Sequence, residues 1–375
     1  TDKGTKQSAY IAFSLNKKDG YFESSQNFER LNLMSKYTRE INEKTKFSLS
    51  TSLFNSSWNA SGQIPVRLVE SAEISRFGAV DNTEGGYTGK KSFQFELSNF
   101  FEDKTSIKTS VYYSKYDFEL YSNFTFFERD SVNGDQIKQK ELRDTYGFNL
   151  DYKKPFYIKK NKIYLLTGVG SRIDVVPNSL LAYTKNRRTL IEEKQKGRVN
   201  ETNYFTYLGL DFFKGDFHFN VGVRAEEIVH SYQDNLDSVS KIIKQTPYAI
   251  LPKGNISYNP NTKLKIYVKM GQGFHSNDSR LITENQNYLN LPLVSSMDVG
   301  ADIQLFKKVK INIAGWGMIS NQEFVYVGDE GIVEASGKTM RRGIDFSLIY
   351  NPFNFMTINT NINYTQARGF SNVDV

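Results

Sequence analysis

Eight side chains in two stretches could do recognition chemistry: Trp58, Arg76 and Phe77 in one, Phe274, His275, Asn277, Asp278 and Arg280 in the other. They offer stacking surface, hydrogen-bond donors and acceptors close together in sequence, which is what a concave small-molecule site needs. The competing role is structural, with Gly62, Gly85 and Gly86 setting turns and Asp278 pairing locally with Arg280. Catalysis has no comparable support. The chain has no Cys and only three His among 375 residues, which excludes thiolate metal sites, iron–sulfur clusters and cysteine nucleophiles and argues against a histidine-rich metal centre. Ser, His and Asp occur, but no nucleophile elbow does. Gly168-Val169-Gly170 and Gly271-Gln272-Gly273 do not lead from a strand into a helix, so they are not phosphate loops. Asp130–Asp135 lacks the distal glutamate of a calcium loop and reads as a turn. No enzyme, metal or cofactor is expected.

The elements that must position these residues are strands. Met356, Ile358, Thr360, Ile362 and Tyr364 alternate with Thr357, Asn359, Asn361, Asn363 and Thr365. Phe217, Phe219, Val221, Val223 and Ala225 likewise alternate with His218, Asn220, Gly222, Arg224 and Glu226. Period-two patterning of this kind, repeated in about fifteen segments with almost no helical periodicity, predicts an all-β protein. Many segments run ten residues or more, nearer the ~9–11 residues of a tilted bilayer-crossing strand than the ~5–6 of an ordinary one.

The connections alternate as well. Short turns are expected near 42–44, 102–104, 214–215, 259–262 and 351–354, and long polar loops near 57–90, 119–142, 175–202, 230–248, 275–294 and 327–337. In an antiparallel up-and-down meander, every second connection lies at the same end. One end therefore carries tight turns and the other large loops, as in a transmembrane β-barrel. The apolar strand faces would meet lipid and the Asn/Thr/Gly/charged faces a wet interior. This explains how 28 Phe and 23 Tyr coexist with only 39% apolar residues. Strand-end aromatics would form interfacial girdles. On the polar faces, Arg172, Arg224, Glu226, Lys265 and Lys269 are lumen charges, His218 a lumen residue, and His230 the cap of a strand end. The net charge of +7 is dispersed, and no basic stripe marks a nucleic-acid face. A passive porin-like channel and a soluble β-rich binding protein remain the alternative readings.

Three stretches carry a family resemblance: 58–65 with 74–86; Gly271–Arg280; and Asn321–Asp329 running on to 336–345. Their order within a long meander resembles the TonB-dependent outer-membrane receptors. The resemblance implies a barrel of roughly 22 strands around an N-terminal plug. It also implies import of a scarce ligand, such as a ferric siderophore or other metal chelate, powered by the inner-membrane TonB complex through an N-terminal segment. By the same resemblance, residues 1–375 are barrel wall, truncated at both ends, with the plug domain absent and about fifteen strands present. Expected partners are the TonB complex, outer-membrane lipid with lipopolysaccharide, and the ligand, but no nucleic acid. The resemblance also raises axial haem ligation at His275; Asn290-Leu291-Pro292 matches the accompanying haem-importer run poorly, so a loop hydrogen bond is the expected role.

Overall fold

The computed structural model describes residues 6–159, 161–239, 241–275, 291–306, 308–327 and 332–370. Its strands are β1 (Gln7–Lys18), β2 (Phe28–Asn42), β3 (Thr45–Asn59), β4 (Gly85–Phe100), β5 (Ser106–Ser122), β6 (Ile137–Ile158), β7 (Asn161–Lys185) and β8 (Thr189–Lys214). They continue with β9 (Phe217–Asp234), β10 (Ile242–Gln245), β11 (Tyr248–Asn261), β12 (Leu264–Phe274), β13 (Leu293–Leu305), β14 (Val309–Val327), β15 (Ile332–Phe353) and β16 (Met356–Phe370). A five-residue helix, α1 (Val66–Glu70), sits between β3 and β4. The strands form one antiparallel sheet in sequence order, with β10 appended to β9 and β1 and β16 at its open edges.

The register turns the sequence alternation into two continuous faces. Tyr37, Leu49, Phe95, Val111 and Phe148 are directly opposite one another across β2 to β6. Leu165, Leu210, Val221, Gly254, Met270 and Met297 do the same across β7 to β13. Val111, Phe148, Leu210, Val221, Met270 and Met297 among them are exposed, Val221 at 41% and Met270 at 51%, and the other side chains are half-buried. The other face runs Gln94, Tyr112, Gly147, Arg172, Asn203 and, further round, Asp211, Asn220, Asn255, Lys269, Asp298. A sheet that exposes its apolar face and turns its polar face inward has the polarity of a membrane barrel.

The short turns are closed by local side-chain chemistry. Lys44 N donates to Asn42 Oδ1 (2.9 Å), Thr105 N to Asp103 Oδ1 (2.9 Å) and Lys263 N to Asn261 Oδ1 (2.8 Å), each an Asx turn. Exposed rings on the apolar face gather at this end, among them Phe217, Tyr258 and Tyr350, as an interfacial girdle requires.

The opposite end differs from expectation. Segment 175–202 is largely strand rather than loop and 230–248 is strand in part, whereas 119–142 keeps a long connection at 123–136. β7 and β8 continue to a three-residue turn at 186–188, with positive φ at Asn186 and Arg187. The cause is physical. Beyond the lipid both faces of a hairpin meet water, so the apolar/polar period vanishes from the sequence while backbone pairing continues. The buried apolar groups lie here too: Ile137, Leu181 and Tyr183 form one cluster, and Ile228, Ala249, Leu251 and Leu291 another. His230 belongs to the same region. It does not cap a strand end but lies inside β9, 1% exposed, with Nδ1 3.3 Å from Glu201 Oε2.

Polar-face charges mostly find partners within the wall. Arg172 Nε donates to Asp174 Oδ2 (2.6 Å), Arg224 pairs with Glu226, and Lys265 lies 3.9 Å from Asp302. His218 Nε2 is 2.5 Å from Asp211 Oδ1, its ring stacked on Phe213 at 4.2 Å.

Candidate ligand-binding mouth

The long-hairpin end holds two recesses, and the two sequence stretches divide between them. Trp58, near the end of β3, lines a recess of about 350 Å³ with Tyr87, Glu119, Tyr121 and Arg187. Phe274, at the end of β12, lines one of about 400 Å³ with Lys253, Lys269, Gln272, Ser296 and Asp298. Phe274 also packs against the Ile228–Leu251–Leu291 cluster, so it anchors the wall as well as facing the recess. His275 is exposed; its N–H donates to Pro292 O (3.2 Å), and its imidazole interacts electrostatically with Glu323. Glu323 is held by Thr339 Oγ1 (2.6 Å) and by Arg341, whose Nη2 donates to Oε2 (2.6 Å). Arg76 is exposed beyond α1. Phe77 sits edge-on to Phe22 at 6.4 Å, and its carbonyl accepts from Glu23 N (2.9 Å), tying its loop to the β1–β2 connection. It is not part of the Trp58 recess. Asn277, Asp278 and Arg280 lie outside the described residues. A wider cavity of about 760 Å³, lined by Lys263, Lys265, Asp302 and Asn312, opens at the opposite, short-turn end.

The Trp58 recess is shaped by a clasp that sequence reading missed. Three connections meet there: β3–β4, β5–β6 and β7–β8. Arg187 donates to the carbonyls of Thr83 and Glu84 and to Asn59 Oδ1 (3.1 Å), with its guanidinium 5.5 Å above the Tyr121 ring. Gln136, 2% exposed, donates through Nε2 to Asp81 Oδ2 (2.8 Å) and Thr83 Oγ1 (2.6 Å). Its Oε1 accepts from Arg187 N (2.9 Å) and Thr184 Oγ1 (3.1 Å). These contacts join residues 48 or more positions apart in sequence, so no local pattern announces them.

Glu84 occupies the middle of the clasp at 5% exposure, with Oε1 lacking a hydrogen-bond partner. Its carboxylate fills the space that a Cβ on Gly62 would need, and Gly62 has φ +63. Burial pushes its pKa up to about 7, opposed by the Asn123 N–H and assisted by the charge of Asp81. Because the folded value lies above the ordinary 4.5, the protonated acid favours the closed clasp. That contribution is complete below pH ~4.5 and is lost as pH rises through about 7. Hydrogen exchange in 60–84 and 123–136 should therefore be slower at pH 5 than at pH 8.5, after correction for intrinsic rates. Glu84→Gln should remove the difference. An unchanged pH dependence in that variant would assign the effect to another group.

The chain matches, over residues 16–374, the family described as TonB dependent receptor-like, beta-barrel. It belongs to that family. None of the curated proteins matches it in sequence. Among solved structures, its fold is similar to that of the ferric citrate transporter FecA in the unliganded form, with TM-score 0.84 and 13% identity, covering 98% of this chain and 55% of that one. It is also similar to the siderophore receptor PiuA from Acinetobacter baumannii (TM-score 0.73, 12% identity, 98% and 60% covered). The ferric preacinetobactin receptor BauA of the same organism is a third (TM-score 0.74, 9% identity, 98% and 58% covered). The chain thus spans little more than half the length of these structures. As a member of this receptor family it is a bacterial outer-membrane protein and not an enzyme. Its apolar face is the lipid face and its polar face the lumen.

Proposed function

We propose that the receptor containing this chain actively imports a scarce metal chelate, such as a ferric siderophore, with energy from the TonB complex, and captures it at the long-hairpin mouth. The two-ended wall supports this reading: tight turns at one end, and at the other a clasped set of hairpins surrounding recesses that combine aromatic, amide and cationic groups. The structural neighbours include a ferric citrate transporter, a siderophore receptor and a ferric preacinetobactin receptor, which agrees with a chelate ligand. Trp58, Phe274 and His275 are the contact residues we assign first, with Arg76, Phe77, Asn277, Asp278 and Arg280 at the approach. In this proposal the open edges β1 and β16 find strand partners within the same receptor, because lipid does not tolerate unpaired backbone. A plug domain fills the polar lumen and carries the segment that meets TonB. Lipopolysaccharide borders the outer rim.

The test is ligand binding and uptake in intact cells with surface expression confirmed. Alanine at both Phe274 and His275 should lower affinity by about tenfold or more, the scale of losing one aromatic contact and one polar contact. Loss of TonB should abolish uptake but leave binding intact. Wild-type affinity and uptake in the double variant would move the site elsewhere on the mouth. Uptake indifferent to TonB would favour a passive channel.

A further inference from the structure

The clasp and the Trp58 recess share one short segment and one side chain. Glu84, Gly85 and Gly86 lead from the β3–β4 connection into β4. Glu84 turns its carboxyl into the clasp, while its carbonyl accepts from Arg187 Nη2 and from Ala60 N (2.8 Å). Two residues on, Gly86 stands opposite Trp58, where a Cβ would come within 3.0 Å of the indole Cζ2. Arg187 lines the recess with the same guanidinium that holds the carbonyls of Thr83 and Glu84, and its N–H is fixed by Gln136 Oε1 (2.9 Å). Displacing residues 81–86 would therefore remove a wall of the recess together with the contacts of the clasp.

The weak point of this arrangement is the Glu84 carboxyl. It is 5% exposed and lies against Gly62, and its Oε1 has no hydrogen-bond partner among the described residues. The charged groups around it do not compensate a negative charge. Asp81, from its own connection, carries the same sign. The β5–β6 connection presents the Asn123 N–H. Its buried Asp135 is already met by Arg129 N (3.0 Å), Asp130 N (2.9 Å) and Thr125 Oγ1 (2.8 Å). Arg129 is stacked on the Tyr183 ring and lies 3.5 Å from Glu192. From the β7–β8 turn, Arg187 reaches main-chain carbonyls and Asn59, and Lys185 reaches Val132 O and Asn133 Oδ1 (both 3.4 Å). On β5, Glu119 is shared by Lys138 and Lys140 (3.5 and 3.1 Å). A buried carboxylate without a cation must reach water, whereas the neutral acid can stay where it is.

We propose that Glu84 is a proton-operated latch on the Trp58 recess: the neutral acid keeps residues 81–86 docked and the recess formed, and ionisation releases both together. The docked form prevails on the acid side and gives way as pH rises through about 7. Between pH 5 and 8.5 the ratio of docked to released forms should fall by up to about 100-fold. Formation of the recess needs no ligand, so the latch is independent of whether the receptor imports a chelate. The intact receptor is labelled with fluorotryptophan, and the Trp58 fluorine resonance is assigned by its loss in Trp58→Phe. Broadening by a neutral, water-soluble nitroxide then reads the exposure of the indole, with folding checked by the mobility of unheated samples on denaturing gels. Broadening of Trp58 should rise severalfold from pH 5 to pH 8.5, while that of Trp316, opposite Gly343 in the lumen wall, should not change. Glu84→Gln should hold the pH 5 value at both pH values. Arg187→Met should give the pH 8.5 value at both, because the recess loses the side chain that ties it to the clasp. Equal broadening of Trp58 at the two pH values in the unsubstituted receptor overturns the proposal, and this measurement needs no variant to fold. A pH response that persists in Glu84→Gln overturns it too, as does a recess still protected at pH 5 in Arg187→Met.

Discussion

Arginine at Val221 should destabilise the folded barrel by about 2–4 kcal/mol, while arginine at the adjacent Asn220 should cost much less. Val221 lies in the apolar ladder between Leu210 and Gly254 and is 41% exposed on the lipid face. A guanidinium there must leave water or drag water and headgroups into the hydrocarbon. Asn220 faces the lumen, paired with Asp211 on one side and Asn255 on the other, and Asn255 Nδ2 donates to its Oδ1 (3.3 Å). An arginine there gains a carboxylate neighbour and stays wet. Ile266, 43% exposed, and its neighbour Lys265 repeat the contrast on β12. Equilibrium unfolding of the intact receptor in lipid bilayers measures all four. Equal costs on the two faces would invert the assignment of inside and outside.

Valine at Gly147 or Gly170 should cost about 1–3 kcal/mol, although both glycines lie in ordinary strand conformation. The lumen wall repeatedly pairs a glycine with a ring on the facing strand. A Cβ on Gly147 would lie 1.9 Å from Tyr112 Cζ, and one on Gly170 would lie 2.3 Å from Phe205 Cζ. Gly168 with Tyr207, Gly300 with Tyr267 and Gly343 with Trp316 follow the same rule, at 2.6, 2.5 and 2.6 Å. The rings lie along the wall because the glycines leave room, which keeps the lumen clear. Gly315, with nothing within 4 Å, is the control: alanine there should be close to neutral. Because the ring is the obstacle, Tyr112→Ala combined with Gly147→Val should cost less than the sum of the two single changes. Additive costs would mean that the glycines serve the backbone rather than the rings.

Fifteen strands were legible in the sequence because lipid on one side and water on the other impose a strict period of two. The same asymmetry revealed which face is which at Val221 and Asn220, and the Asx residues Asn42, Asp103 and Asn261 marked the turns. The pattern ended where the lipid ends. Residues 175–202 read as loop because both faces of that hairpin are wet, yet β7 and β8 pair through them. The Gly147–Tyr112 and Gly170–Phe205 contacts needed the register, since each joins residues 35 apart that are neighbours only once the strands are aligned. The recesses at the long-hairpin end were legible only in part. Trp58 and Phe274 stood out by residue type and each lines a recess, but Phe77 proved to be fastened to Phe22 and not to Trp58. Arg187, Gln136 and Glu84, the groups that shape the Trp58 recess, were invisible in the sequence. A polar residue in a water-exposed hairpin has no neighbours that its own sequence can specify. Only tertiary structure bends three hairpins together, buries Glu84 against Gly62 and gives Arg187 its carbonyls to hold.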